Sequence, residues 1–404
     1  MLKRTLLLLS FFSFGVFLQA AQTPAKPART DKKAILDRIA TGQQEDMKTN
    51  LRFLNQFFPK LLSNAPLVGK YDDWDAFKKA EGARADEVLS QTKSDIARVE
   101  IWLSQINDYY KQEYDDAVKA REKVLYAMNK NFRSQKPDYP KFFKNKQIIF
   151  IWEEGGHAVP EIMDSTLEVL QEIKKANPNK RILFSPEQLI WFDMEPFANS
   201  ALIAGKTDLR APQIRFAGEE MHPNLKSATR YENLWDKVSA LGLDTLSMDD
   251  VLVDWSFMYS FFKVGNISIP YLGGEEAFDN AYYRFRSNYY GVHQRNTQWN
   301  YRIRLVEPYY DIIVVFAGGA HYGLKKLLDK PADKVLDVFI YKLAVDDEVK
   351  NWDRKAREGQ GTYNDAQFRA DKKEKEEIAK TLTSTVYNQL QENGHISALY
   401  IVIP

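Results

Sequence analysis

The sequence contains no cysteine. That absence excludes disulfide staples, thiolate zinc sites, iron–sulfur clusters and cysteine nucleophiles together. Histidine is nearly as scarce, with five in 404 residues. Neither sign of charge is in excess: 56 Lys+Arg stand against 55 Asp+Glu, a formal charge of +1. A generic nucleic-acid binder would carry a basic surplus, so nucleic acid is not an expected partner. Several motifs are also missing: a Walker loop, a dinucleotide fingerprint, a Gly-x-Ser-x-Gly elbow and a His-Glu-x-x-His helix. What remains is enough to fold, since 44% hydrophobic and 13% aromatic residues supply real cores. The length favours one large or two smaller domains. Metal or acid–base chemistry must come from the few histidines, from carboxylates or from tyrosine.

The N-terminus reads as an address. Lys3 and Arg4 precede an apolar run from Leu6 to Leu18, and Leu18-Gln19-Ala20 places a small residue before Ala21. This is the pattern of a secretory signal peptide over residues 1–20. The run is shorter than the roughly 20 residues needed to span a bilayer. No cysteine follows it to carry a lipid. Residues 21–32 are small, polar and proline-containing, a flexible leader. The expected product is periplasmic or secreted, with no stable membrane span once the signal is removed.

Residues 33–135 read as a helical arm. Leu51, Leu54, Phe58 and Leu61 recur at helical spacing. A longer seam runs through Ile96, Val99, Leu103, Ile106 and Tyr110 to Ala117, Ala120, Val124 and Ala127, interrupted once by Glu113. A break is expected between Asn64 and Asp73. The arm either packs on its own chain or forms a homodimer.

From Gln147 the pattern alternates. Gln147 to Trp152 is a continuous, β-branched apolar run of the kind buried in a parallel sheet. Pro160 to Ala176 is an amphipathic helix, and Arg181 to Phe184 a short strand. Asp311 to Ala317 is a second apolar strand, followed by a helix at Leu324 to Leu328 and a strand at Val335 to Tyr341. This alternation predicts an α/β fold with a mostly parallel central sheet flanked by helices, over residues 145–345. Residues 346–404 add charged helices, over 352–392, and a final strand, Ala398 to Ile403.

In such sheets ligands bind beyond the carboxyl ends of the strands. Two of the five histidines lie there, each after a glycine pair: His157 in Glu154-Gly155-Gly156-His157 and His321 in Gly318-Gly319-Ala320-His321. A neutral imidazole at such a place can ligate a metal or take a proton near neutral pH. Glu153 and Glu154 add carboxylates to the loop after the first strand. Glu187 follows the next strand, where it is a candidate metal ligand or base and reads equally well as a helix first-turn acid. Glu219-Glu220-Met221-His222 reads as a surface loop, His293 as part of a helix, and His395 as a helix terminus.

Taken in order, FIWEEGGHAVPE, RILFSPEQ, Arg295-Asn296-Thr297-Gln298-Trp299 with Arg304 beyond, and VVFAGGAHYG form a set. The set resembles the superfamily of ChaN-like haem-binding uptake proteins, Tiki proteases, TraB-domain proteins and erythromycin esterases. The first motif departs from the family in having Glu-Gly-Gly-His. The resemblance implies one cleft built from His157, Glu187, Arg295 and His321, with Glu154 as a further member. It implies three chemistries. In a ChaN-like protein, His157, His321 or Tyr322 would bind haem. In a Tiki-like hydrolase, His157, His321 and a carboxylate, Glu154 or Glu187, would hold a divalent metal ion. In a metal-free esterase, a histidine would be the base. The ligand would be a small molecule, or a peptide or ester substrate.

Overall fold

The computed structural model describes residues 31–68, 70–71, 73–129, 136–154, 159–187, 214–219, 232–249, 292–343, 373 and 375–404. The expected signal peptide and most of the leader lie outside these residues, as do His157 and His222.

The N-terminal third is helical: α1 (Lys32–Phe57), α2 (Pro59–Val68), α3 (Trp74–Glu81) and the long α4 (Ala83–Asn129). The helices part at Phe58, between Val68 and Trp74, and at Gly82; the chain is helical through Pro66, so the expected break lies in the later part of its range. Asp73 caps α3, its carboxylate accepting the Ala76 N–H at 2.7 Å. The first turn of α2 is capped from another helix. Asp95 of α4 accepts the N–H groups of Lys60 and Leu61 at 2.8 and 2.9 Å. Asp95→Ala would leave these two donors without their acceptor, a loss of about 1–3 kcal/mol. Asp95→Asn, which keeps an acceptor oxygen, should lose less. Urea denaturation of the two variants checks the ordering.

The α/β part continues with α5 (Tyr139–Phe143), β1 (Ile148–Glu154), α6 (Pro160–Ala176), β2 (Ile182–Pro186), β3 (Ile214–Arg215), α7 (Glu232–Ala240), β4 (Asp244–Leu246) and α8 (Arg295–Val306). It closes with β5 (Ile312–Gly318), α9 (Leu324–Leu328), β6 (Val335–Lys342), β7 (Val386–Glu392) and β8 (His395–Ile403). The eight strands form one sheet in the order β3-β4-β2-β5-β1-β6-β8-β7. All neighbours are parallel except the edge pairs β3–β4 and β7–β8.

Strand periodicity divides the core. Ile149 and Ile151 of β1 pack with Ile162, Leu170 and Ile173 of α6 and with Val238 of α7 on one face. Phe150 and Trp152 face the other way, toward Trp299 and Ile303 of α8, Leu324 of α9 and Ile35 of α1. β1 and β5 are apolar on both sides because both of their faces are covered.

One reading changes at the C-terminus. Residues 386–392 are a strand, not the end of a helix; helix is described at 373 and over 375–381 at its N-terminal side. Val386 and Asn388 are buried and Gln389 is exposed, as an edge strand with one covered face requires. Asn393 and Gly394, with φ of 51° and 78°, make the hairpin turn. His395 therefore begins β8 opposite Glu392 and does not terminate a helix. No described helix is long and apolar enough to cross a membrane.

Candidate functional site

The crossovers create the site. β5 lies between β2 and β1. The helix after β1 and the helix between β3 and β4 cover one face of the sheet, and the helix after β5 covers the other. The carboxyl ends of β2, β5 and β1 therefore lie at a topological switch point, the place where ligands bind in open α/β sheets.

Four side chains meet there. Glu187 leaves the end of β2, with its N–H bonded to the Phe316 carbonyl of β5 at 2.7 Å. Asp249 follows β4, its N–H bonded to the Glu187 carbonyl at 3.0 Å. Arg295 opens α8, and His321 ends the short 3-10 turn after β5. The Arg295 guanidinium ties them together. Its Nη2 donates to Glu187 Oε1 and to Asp249 Oδ2, both at 2.6 Å, and its Nε donates to Asp249 Oδ1 at 3.0 Å. Trp299 Nε1 donates to the same Asp249 Oδ1 at 2.8 Å. Glu187 Oε2 accepts the Gly318 N–H at 3.1 Å.

Each of these contacts to a carboxylate oxygen comes from a donor, so both acids are in their acceptor form, the carboxylate. Burial alone would favour a neutral Arg295 guanidine, but Asp249 and Glu187 outweigh it and hold the pKa above its ordinary value. Burial pushes the Asp249 carboxyl upward, opposed by Arg295.

The His321 ring is placed from three sides. Nδ1 lies 2.8 Å from Asn296 Oδ1, which can only accept, so Nδ1 carries the proton in the neutral ring. Nε2 then faces Arg295 Nη1 at 3.3 Å and Glu187 Oε1 at 3.6 Å. Trp299 packs against the ring with centroids 4.2 Å apart, and the Arg295 guanidinium lies 4.7 Å from the Trp299 centroid. Among the described residues of the cluster, two carboxylates face one guanidinium.

Of the residues expected from sequence, the structure brings together Glu187, Arg295 and His321. Glu154 lies at the neighbouring strand end, where Arg121 of α4 pairs with it, Nε to Oε1 at 3.3 Å. Tyr322 is elsewhere. Its ring packs against Trp152 and Phe339 in the core. Burial first, and Asp337 second, push its phenol well above the usual range. Arg304 donates to the Leu327 and Leu328 carbonyls at the end of α9, outside the cluster. His293 pairs with Glu113 of α4 at 3.0 Å, and this hydrogen bond holds the Glu113 carboxyl below its usual pKa.

The sequence reading missed Asp249, and missed Asn296 and Trp299 as members of the site. A signal existed for Asp249, an acid just past a short strand in Leu246-Ser247-Met248-Asp249.

The cluster suits a resident metal poorly. Glu187 and His321 both turn toward Arg295, a permanent cation that occupies the place an ion between them would take. Among the described residues no group of three His, Asp or Glu side chains is arranged to hold a metal ion. Haem ligation through Tyr322 would require unpacking the phenol from Asp337 and Trp152. In comparisons with known proteins, no family model matches the chain, and no curated protein or solved structure matches it.

Proposed function

We propose that the chain is an exported hydrolase that activates water by histidine base catalysis, without a metal, at the carboxyl ends of β2, β5 and β1. Export rests on the leader sequence. The observation that carries the chemistry is the placement of His321. Its Nδ1 is tied to Asn296, and its Nε2 sits beside an anion and a guanidinium in one buried cluster.

In this reading His321 Nε2 takes a proton from water as the water oxygen bonds to an acyl carbon. The carbonyl π electrons move onto its oxygen. Arg295 Nη1, which donates to Nε2 at 3.3 Å in the resting site, would turn to the oxyanion and stabilise it. Glu187 and Asp249 offset the imidazolium that forms. The imidazolium then gives its proton to the leaving oxygen as the tetrahedral intermediate collapses. Small esters and other activated acyl compounds are the substrate class. Glu154 ends the adjoining strand β1 and would contact the substrate; His157, three residues further along the sequence, would join it in this reading.

The test is hydrolysis of a panel of 4-nitrophenyl esters by the purified full chain after dialysis against a chelator, with a haemin titration alongside. The expected result is turnover that survives the chelator and no Soret shift. Turnover that needs an added divalent ion, or a Soret band lost in His321→Ala, would replace this reading with the metal or haem alternative.

A further inference from the structure

A second guanidinium reaches the site from outside the α/β domain. Glu113, Ala117 and Arg121 are four residues apart on α4 and so share one face of that helix. Glu113 meets His293, which lies two residues before Arg295. Ala117 lies close to Gly323: its Cβ is 3.9 Å from where a side chain at Gly323 would begin. Arg121 meets Glu154 at the end of β1, and both side chains are mostly buried. Between these contacts lies Gly318 to Gly323, the turn that carries His321 and gives the Gly318 N–H to Glu187.

Gly319 shows how tightly this turn is held. A Cβ there would overlap the Glu154 carboxylate and approach Arg121 Nη1 to 2.7 Å. Gly319 has ordinary negative-φ geometry, so the backbone conformation does not demand glycine. The requirement comes from the Glu154–Arg121 pair pressed against the turn. Removing either charge would loosen the wall that the turn rests on. The His321 ring would then be free to leave the position in which Asn296 fixes its tautomer.

We propose that Arg121 is a positioning residue of the His321 site, and that α4 is part of that site. The proposal rests on the reading of His321 as the base, and it gives the arm a role within its own chain. Arg121 acts through Glu154 and the glycine turn and touches no reacting atom.

The experiment uses the full chain labelled with ¹⁵N-histidine. With five histidines in the sequence, His321 is assigned by its loss in His321→Asn. Wild type should show His321 held as the Nδ1–H tautomer while neutral. Arg121→Met should give averaged tautomer shifts and a displaced titration midpoint. It should also lower kcat on a hydrolysed ester by roughly 10-fold to 100-fold with KM little changed. Arg121→Lys should restore part of both. A merely structural Arg121 would lower the melting temperature and leave the His321 ring signals and titration as in wild type; that result overturns the proposal. If Arg121→Met fails to fold, Glu154→Gln, which keeps shape and removes charge, must show the same ring signature, and its absence overturns the proposal equally. The ring signals are read without any substrate. A chain that hydrolyses no ester would therefore defeat the catalytic reading while still deciding whether Arg121 positions His321.

Discussion

Arg295→Met should cost about 3–5 kcal/mol of folding stability at neutral pH, the largest effect expected of any single site substitution. The loss comes from what is left behind. Glu187 and Asp249 are both buried, and Arg295 bonds to each at 2.6 Å. Without the guanidinium, two anions share a desolvated pocket and their folded-state pKa values climb above those of the unfolded chain. Burial already pushes Asp249 in that direction in the wild type. A carboxyl with a raised folded pKa contributes stability that is fully present below its unfolded pKa and lost as pH rises through the folded one. The deficit of Arg295→Met should therefore shrink on acidification and widen toward neutral pH. Urea denaturation at about pH 5 and about pH 8 reads this directly. A deficit independent of pH would mean that lost packing on Trp299, rather than stranded charge, is the cause. Arg295→Lys should recover only part of the loss, because an ammonium cannot span Glu187 and Asp249 with a planar fork.

His321→Ala should lower kcat/KM on any ester the chain hydrolyses by about 10²–10⁴-fold, the range expected for a general base. Asn296→Ala, which frees the tautomer and keeps the imidazole, should cost less. The two should also differ in shape: Asn296→Ala keeps a bell or sigmoid in its pH–rate profile, and His321→Ala loses the acid limb. A His321→Ala variant as active as wild type would remove His321 from the reaction.

The central sheet was legible because its strands announce themselves. Ile148 to Trp152 and Ile312 to Ala317 are apolar at every position, as only strands covered on both faces can be. Pro160 marked the start of α6 and Asn177 its end. β7 was misread for the opposite reason. It is an edge strand with polar residues on its open side, and Val386-Tyr387-Asn388-Gln389 follows a long charged segment that favours helix. The short strand β4 carries Asp244 and Thr245 and was invisible to a search for apolar runs. Asp249 was missed along with it. Glu187, Arg295 and His321 could be named because glycine turns and strand ends mark places of close approach. Asn296 and Trp299 could not be given roles, since one helical turn of sequence does not reveal which side chains turn inward. Glu113 read as a flaw in an apolar seam and is a partner for His293. Only tertiary packing, with α4 laid against the turn after β5, supplies its reason.

The insertion of β5 between β2 and β1 also orders the way this chain can fold. β1 pairs with β5 on one side and β6 on the other, and β2 pairs with β4 and β5. Each of the two early strands thus waits for a partner that begins at Ile312. Until that segment is available, β1 and β2 present open hydrogen-bonding edges made of some of the most apolar sequence in the protein, the condition under which unfinished chains adhere to one another. The strand that carries the histidine turn is therefore also the keystone of the sheet, and the site cannot assemble before the centre of the fold has closed around it.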